Sequence, residues 1–298
     1  MLSGMFRKDR YKRNSDKVLD QSQRMGLSNG VNPYYPVPIK IKKIIPETSY
    51  ITTFILEGMP IRFEAGQFAE LTVPGVGEAP FTPSSSPYAD NLEFTIMKVG
   101  RVTSALFELK QGDYVGVRGP FGKPYPLENF KGKEVFIVGG GVGFAPLRSL
   151  FLALVHNISD YKKIYIRYGA RTPQDLVYSR LIPEWKKIEG VDILLAVERP
   201  DDSWQGRLGV VTVILDDIPV DVASSPSIVC GPPIMLKFVT QRLVEAGFKS
   251  GNIYLSMEKN MSCGIGKCNH CRVGKYYVCK DGPVLTWEQV KDVEEPFL

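Results

Sequence analysis

Four of the chain's five cysteines, Cys263, Cys268, Cys271 and Cys279, stand near the carboxyl end in the spacing C-x4-C-x2-C-x7-C. That opening spacing is the plant-type pattern in which four thiolates hold the two irons of a 2Fe–2S cluster. Glycines between the ligands let the loop curl, so that sulfurs and amide N–H groups converge on one point. Structural zinc, with His270 replacing a cysteine, is a competing reading. Disulfides or free thiols are a third. The fifth cysteine, Cys230, is separated from the others by a helix and a strand, which excludes it as a ligand of the same centre.

A second chemistry-bearing stretch is Val138-Gly-Gly-Gly-Val-Gly-Phe-Ala-Pro-Leu-Arg, where a strand turns into a helix. Bare amides at the positive end of a helix can face phosphate oxygens, and glycine allows close backbone approach. Gly139, Gly140, Gly141, Val142 and Gly143 are therefore candidate phosphate contacts; tight packing alone is the alternative. Cys230-Gly231-Pro232 ends another strand on the same sheet edge, where open α/β folds bind ligands. Cys230 reads either as a buried small hydrophobe or as a neighbour of a nicotinamide ring. Further upstream, Phe81 could stack on an aromatic ring and Thr82 could hydrogen-bond it, although the following serines also suit a turn. Gly100, Arg101, Val102, Thr103 and Ser104 form another helix entrance and phosphate seat.

These residues need elements to position them. Ile39–Ile45, Tyr50–Leu56, Gln67–Val73, Leu92–Val99 and Tyr114–Arg118 alternate as strands between Gly and Pro turns, which predicts an antiparallel barrel or sandwich over residues 37–130. One helix is expected at Thr103–Leu109, capped by Thr103 or Ser104. From 131 to 256 strands at Glu134–Val138, Lys163–Tyr168, Val191–Val197, Ser227–Cys230 and Asn252–Ser256 alternate with helices at Leu147–His156, Pro173–Ile188 and Pro233–Ala246. Alternation of this kind implies a parallel sheet with helices on both faces. Residues 257–298 then form a short appended cysteine lobe. The fold class expected is an antiparallel β-barrel domain, an α/β parallel-sheet nucleotide-binding domain and a small carboxyl-terminal iron–sulfur lobe.

Of the 298 residues, 44% are hydrophobic and 23% charged, as in an ordinary globular protein. No apolar run reaches the length of a membrane span or a signal peptide, so no membrane insertion is expected and cytoplasmic residence is the default. The net charge of +5 is concentrated in residues 1–43, with ten cations against Asp9, Asp16 and Asp20. Residues 1–36 read as a basic arm, with one short helix around 15–26. Without a nucleic-acid motif, a solvated extension is the first reading of the arm; as a binding segment its expected target is a protein, not nucleic acid.

The order of barrel, Gly-Gly-Gly-x-Gly turn, Cys-Gly-Pro-Pro-x-Met and cysteine lobe resembles the ferredoxin–NADP reductase superfamily. Within it the chain looks closest to the branch with a carboxyl-terminal 2Fe–2S lobe, which holds sulfhydrogenase gamma subunits, anaerobic sulfite reductase B subunits and dihydroorotate dehydrogenase B electron-transfer subunits. The resemblance covers about residues 36–290. It implies FAD in the barrel, with Phe81 and Thr82 at the flavin-contacting Tyr-Ser/Thr and Gly100 to Ser104 at the pyrophosphate turn. It places Gly139 to Gly143 and Cys230 to Pro232 at the NAD(P)H motifs. The broad family has arginine where this chain has Ala79, which leaves FAD against FMN open; Arg101 could restore the charge. Arg167 and Arg171 follow the second α/β strand, where an arginine could accept the 2′-phosphate of NADPH.

Assembled, the motifs predict an electron relay: hydride from NAD(P)H, a flavin between two- and one-electron chemistry, and a cluster as exit. No terminal catalytic centre is evident, so the chain is expected to be the diaphorase subunit of a hetero-oligomeric redox complex, serving a partner such as a NiFe hydrogenase or sulfur reductase. The alternatives are a stand-alone reductase of a soluble carrier such as ferredoxin, and a zinc-stapled non-enzymatic subunit. With only His156 and His270 present, histidine chemistry is not expected, and His156 reads as a structural helix end.

Overall fold

The computed structural model describes residues 32–216 and 218–297. Most of the basic arm, including its expected helix, lies outside them. The first sheet contains β1 (Val37–Pro46), β2 (Ile51–Leu56), β3 (Phe68–Val73), β4 (Gly77–Phe81), β5 (Glu93–Met97) and β6 (Tyr114–Phe121). All its pairings are antiparallel, in the order β4-β3-β6-β1-β2-β5. Period-two alternation puts Phe54, Leu56, Ala69, Leu71, Phe94, Ile96, Val115 and Val117 into one apolar interior. Each such large side chain contributes roughly 1.5–3 kcal/mol by leaving water.

Two local expectations change. The strand β4 was not evident in the sequence, because Gly77 and Pro80 weaken its signal. Proline is tolerated there because β4 lies at the sheet edge. Helix α1 spans Arg101–Phe107, starting earlier than expected, with Gly100 as its cap residue. Thr103 stands one turn inside and accepts hydrogen bonds from the amides of Val99 and Gly100 at 2.9 and 2.8 Å.

The second sheet joins β7 (Glu134–Gly140), β8 (Lys163–Ala170), β9 (Val191–Val197), β10 (Arg207–Leu208), β11 (Ser227–Cys230) and β12 (Ile253–Ser256) in parallel. With β15 (Val284–Thr286) at its edge, the strand order is β10-β9-β8-β7-β11-β12-β15 and reverses direction between β7 and β11. Val135 and Ile137 face α2 (Phe144–His156), whereas Phe136 and Val138 face α4 (Pro233–Glu245). The helix expected over Pro173–Ile188 is instead a short turn followed by α3 (Ile182–Trp185). Tyr178 breaks it: its φ is 62°, and its hydroxyl reaches Thr95 of the barrel at 2.6 Å. Tertiary contact here overrides local propensity.

The cysteine segment is more than an appendage. After the hairpin β13 (Arg272–Val273) and β14 (Tyr276–Tyr277) and the turn α5 (Val278–Asp281), β15 (Val284–Thr286) pairs antiparallel with β12. It leads into α6 (Trp287–Val290). Cys271, Val273, Val278, Cys279 and Val290 share one apolar cluster with Phe136, Val138 and α4. No helix among the described residues is long and apolar enough to cross a membrane.

Candidate functional site

The loop from Cys263 to Cys268 curls through Gly264 and Gly266, both at φ 73°. That conformation points amides at sulfur. Gly266 N–H donates to Cys279 Sγ at 3.0 Å, Lys267 N–H to Cys263 Sγ at 3.3 Å, and Cys279 N–H to Cys271 Sγ at 3.4 Å. Burial alone would raise the Cys263 thiol, but the amides of Ile265, Lys267 and Cys268 outweigh it and draw it down to about 6. Burial and the adjoining Cys271 thiol push Cys279 up to about 12. The sulfurs form two neighbouring pairs, Cys263 with Cys268 and Cys271 with Cys279, and the amide of Gly266, which lies between the first two in the chain, donates to Cys279. Among the described residues no three His, Cys, Asp or Glu side chains converge to hold a single metal ion. Two thiol pairs with N–H donors fit a two-iron cluster, whose sulfurs accept such hydrogen bonds.

The glycine turns sort into two kinds. A Cβ on Gly143 would lie 2.7 Å from the backbone of Gly231, and one on Gly139 would meet the Phe144 ring at 2.8 Å. Gly140 and Gly231 both abut the Met235 sulfur. These four interlock the exits of β7 and β11, which are adjacent in register at Gly139 and Cys230. Gly141 differs, with φ 54° and open space where a Cβ would stand. Its carbonyl is held by the Tyr168 hydroxyl at 3.1 Å. Val142 is half-buried beside it, and Pro232 caps α4. Gly143→Ala is expected to lower the melting temperature, by overpacking of about 1–3 kcal/mol, and to weaken nucleotide binding. Thermal unfolding and nucleotide titration of Gly143→Ala beside the unaltered protein would check this, with equal melting temperatures counting against it.

Cys230 is 1% exposed, and burial pushes its thiol up to about 12. It is a neutral thiol at physiological pH. Of the two arginines offered for a 2′-phosphate, Arg167 must be withdrawn. It is buried, pairs with Asp192 at 2.7 Å and lies near the rings of Phe136 and Tyr165. Arg171 is exposed just beyond the end of β8.

In the barrel, Phe81 is half-buried against the apolar interior, and Thr82 follows it at the end of β4. Ser84 and Ser85 are turn residues. The Ser84 hydroxyl meets Thr95 at 3.0 Å, and the Ser85 hydroxyl accepts from Glu93 N–H at 3.2 Å. Thr103 likewise caps its own helix, so the open part of that entrance is Gly100, with no neighbour around a Cβ position. Ser104 N–H donates to the Gly100 carbonyl, Val102 lies against Gly77, and Arg101 donates to the Val76 carbonyl. The entrance thus adjoins β4, and the Arg101 guanidinium hangs over the turn preceding Ala79. Arg101→Ala is expected to reduce retained flavin; unchanged flavin content after purification would remove Arg101 from that role.

Two arginines missed in the sequence join these parts. Arg148 of α2 donates to the Ser84 carbonyl at 2.9 Å and to Glu93 at 2.5 Å, tying the glycine turn to the end of β4. Arg118 of β6 donates to Glu78 at 2.6 and 2.8 Å and to the carbonyls of Cys263 and Ser262 at 2.9 and 3.2 Å. The barrel therefore touches the nucleotide turn through one arginine and the cysteine loop through another. Neither arginine carries a local sequence signal, since both partners are distant in the chain.

The pattern of the oxidoreductase NAD-binding domain family matches residues 137–241. That of the iron–sulfur cluster binding domain of dihydroorotate dehydrogenase B matches residues 258–291. Sulfhydrogenase 1 subunit gamma of Pyrococcus furiosus is 37% identical over 86% of this chain and 92% of its own length. A probable dihydroorotate dehydrogenase B (NAD(+)) electron transfer subunit from Methanocaldococcus jannaschii is 34% identical over 87% and 93%. Among solved structures, a chain of an NADH-dependent reduced ferredoxin–NADP oxidoreductase, described for flavin-based electron bifurcation, superposes with TM-score 0.71. It is 27% identical and covers 90% of this chain and 91% of that one. Interlocked glycine turns, a barrel clamped to them and a four-cysteine loop thus coincide with sequence likeness over 86–87% of the chain, and the chain belongs to the ferredoxin–NADP reductase-like family of electron-transfer subunits with a carboxyl-terminal iron–sulfur domain.

Proposed function

We propose that this chain is the diaphorase subunit of a larger oxidoreductase, exchanging electrons between NAD(P)H and a partner catalytic subunit of the sulfhydrogenase kind. The observation that carries it is the double clamp. Arg148 holds the Ser84 end of the barrel to the nucleotide turn, and Arg118 holds Glu78 of β4 to the cysteine loop. When bound, the nicotinamide supplies hydride, FAD passes between two- and one-electron chemistry, and the 2Fe–2S cluster accepts single electrons.

The chain's own residues bind and orient. Gly141 and the amides after it would bind a pyrophosphate, and the neutral Cys230 thiol at the end of β11 would stand near the nicotinamide. Phe81 and Thr82, with Gly100 to Ser104, hold the flavin. Cys263, Cys268, Cys271 and Cys279 hold the cluster, and Gly264 and Gly266 turn amides onto their sulfurs. Arg171 gives NADPH the advantage over NADH, and cysteines used as metal ligands and not as disulfides favour the cytoplasm.

An anaerobic visible spectrum tests the reading. Flavin and 2Fe–2S absorption bleached by NAD(P)H is expected, whereas a colourless, zinc-containing protein would overturn it.

A further inference from the structure

Strand β3 turns one of its faces away from the barrel interior. Ala69, Leu71 and Val73 enter that interior, so Phe68, Glu70 and Thr72 face the other way. On that side Phe68 and Phe121 pack in one apolar cluster with Cys271 and Cys279. The Phe121 ring also lies against Gly264, 3.1 Å from where a Cβ would stand. Glu70 is thus a buried carboxylate on the face that the barrel presents to the cysteine segment.

Its surroundings hold one cation for two carboxylates. Arg118 is the partner of Glu70 in the register of β3 with β6, yet its guanidinium stays 3.9 Å away. The near bonds of that guanidinium go elsewhere. It donates to Glu78 at 2.6 and 2.8 Å, and to the carbonyls of Cys263, Ser262 and Pro33 at 2.9, 3.2 and 3.3 Å. Neither Glu70 carboxylate oxygen has a hydrogen-bond partner among the described residues. The charged and titratable groups that face Glu70 are Arg118 of β6, Glu78 of β4 and Cys263 of the loop. Burial raises the Glu70 carboxyl and Arg118 lowers it, while the negative charges of Glu78 and Cys263 raise it further, to about 7. Charge on the cysteine loop is therefore felt at Glu70, with one guanidinium between them.

Resting on the electron-transfer reading above, we infer that Glu70 is a proton-binding site linked to the cluster, taking up one proton when one electron arrives at the cysteine loop. Negative charge added near a buried carboxylate favours its neutral form. The linkage is reciprocal, so a proton on Glu70 eases acceptance of the electron by the same factor. The step balances as one electron, delivered from NAD(P)H through the flavin, and one proton from water. The O–H bond of Glu70 forms, and it breaks when the electron leaves. Glu78 shares the cation but is partly exposed, and water screens the added charge there.

The test is a mediated redox titration of the full-length, cluster-loaded protein between pH 6 and 9, read by electron paramagnetic resonance of the reduced cluster. The midpoint potential is expected to be flat below about 7, where Glu70 is protonated in both redox states. Above that, the reduction constant should fall up to tenfold per pH unit, equivalent to about 59 mV for one electron. Glu70→Gln, neutral at every pH, should abolish the slope and keep the higher potential of the acid side. Glu78→Gln should retain the slope. Redox difference infrared spectra at pH 8 should show a carboxylate band replaced by a protonated carboxyl band on reduction, and this exchange should be missing in Glu70→Gln. A flat potential in the unaltered protein, or a slope that survives Glu70→Gln, would overturn the inference. Should Glu70→Gln not hold a cluster, Glu70→Asp takes its place: it is expected to move the onset of the slope, and an unmoved onset overturns the inference equally. Failure of the underlying reading looks different, as no reduced-cluster resonance would form at any pH.

Discussion

Cys279→Ser is expected to abolish one-electron output while sparing the flavin reaction. Cys279 is buried, accepts from the Gly266 amide at 3.0 Å and adjoins Cys271, so it is the sulfur about which the loop closes. Outer-shell changes at metal sites already cost 10–100-fold, so losing a ligand should cost about 100-fold or more. Reduction of cytochrome c by NAD(P)H should fall by that factor, with the cluster's visible and electron paramagnetic resonance signals lost. Menadione reduction should stay within about twofold, because the barrel and nucleotide turns make their contacts through Arg148, whose partners are Ser84 and Glu93 and not the cysteine loop. The control is Cys230→Ser, which should keep the cluster intact: Cys230 ends β11 and faces the nucleotide turns. Loss of both activities together in Cys279→Ser, with the fold retained, would refute the separation of a flavin stage from a cluster stage.

Arg118→Met should be the most destabilising single change in the barrel. Glu70 is 1% exposed, has no hydrogen-bond partner on either carboxylate oxygen, and finds Arg118 as its near cation at 3.9 Å. Glu78 pairs with the same guanidinium at 2.6 Å. Removing one partner from a buried charged group costs about 3–5 kcal/mol, since Glu70 stays desolvated while the more exposed Glu78 reaches water. The carbonyls of Ser262 and Cys263 lose their donor as well, so the cysteine loop should loosen and the cluster become easier to strip with chelator. Calorimetry and chelator kinetics would measure both effects. Adding Glu70→Gln should recover part of the stability but none of the loop tethering.

Glu70 also sets a pH dependence. Burial pushes it up to about 7, above its unfolded value, although Arg118 opposes this. The folded state therefore binds more protons, and the contribution is full below the unfolded carboxylate pKa of about 4.3. It is lost as pH rises through about 7. Glu70→Gln should flatten that part of the stability profile, and an unchanged profile would show that Glu70 does not titrate in this window.

Much of the architecture was legible because its signals are local. The parallel strands at Val191–Val197 and Ser227–Cys230 fall where the apolar runs are. Elsewhere a local rule lost to a distant contact. Tyr178 sits in a left-handed conformation because its hydroxyl and amide are held by Thr95 and Glu47 of the barrel, which splits the expected helix. Arg167 reads as a phosphate arginine from its position after a strand start, yet strand alternation turns it inward onto Asp192.

The sequence by itself determined the four-cysteine spacing, the glycine turns and the order of the parts. Those depend on residues a few positions apart, whose geometry the backbone sets directly. Only the tertiary structure decided which glycines are there for packing and which faces open space, because that depends on Met235 and Gly231 meeting the turn from another strand. It also decided that the cysteine segment completes the parallel sheet's edge through β15, and that Arg118 and Arg148 join the three parts. Arg118 and Cys263 are 145 positions apart. A contact of that kind leaves no periodicity or spacing to read, and exists only once the barrel strand and the cysteine loop have been brought together.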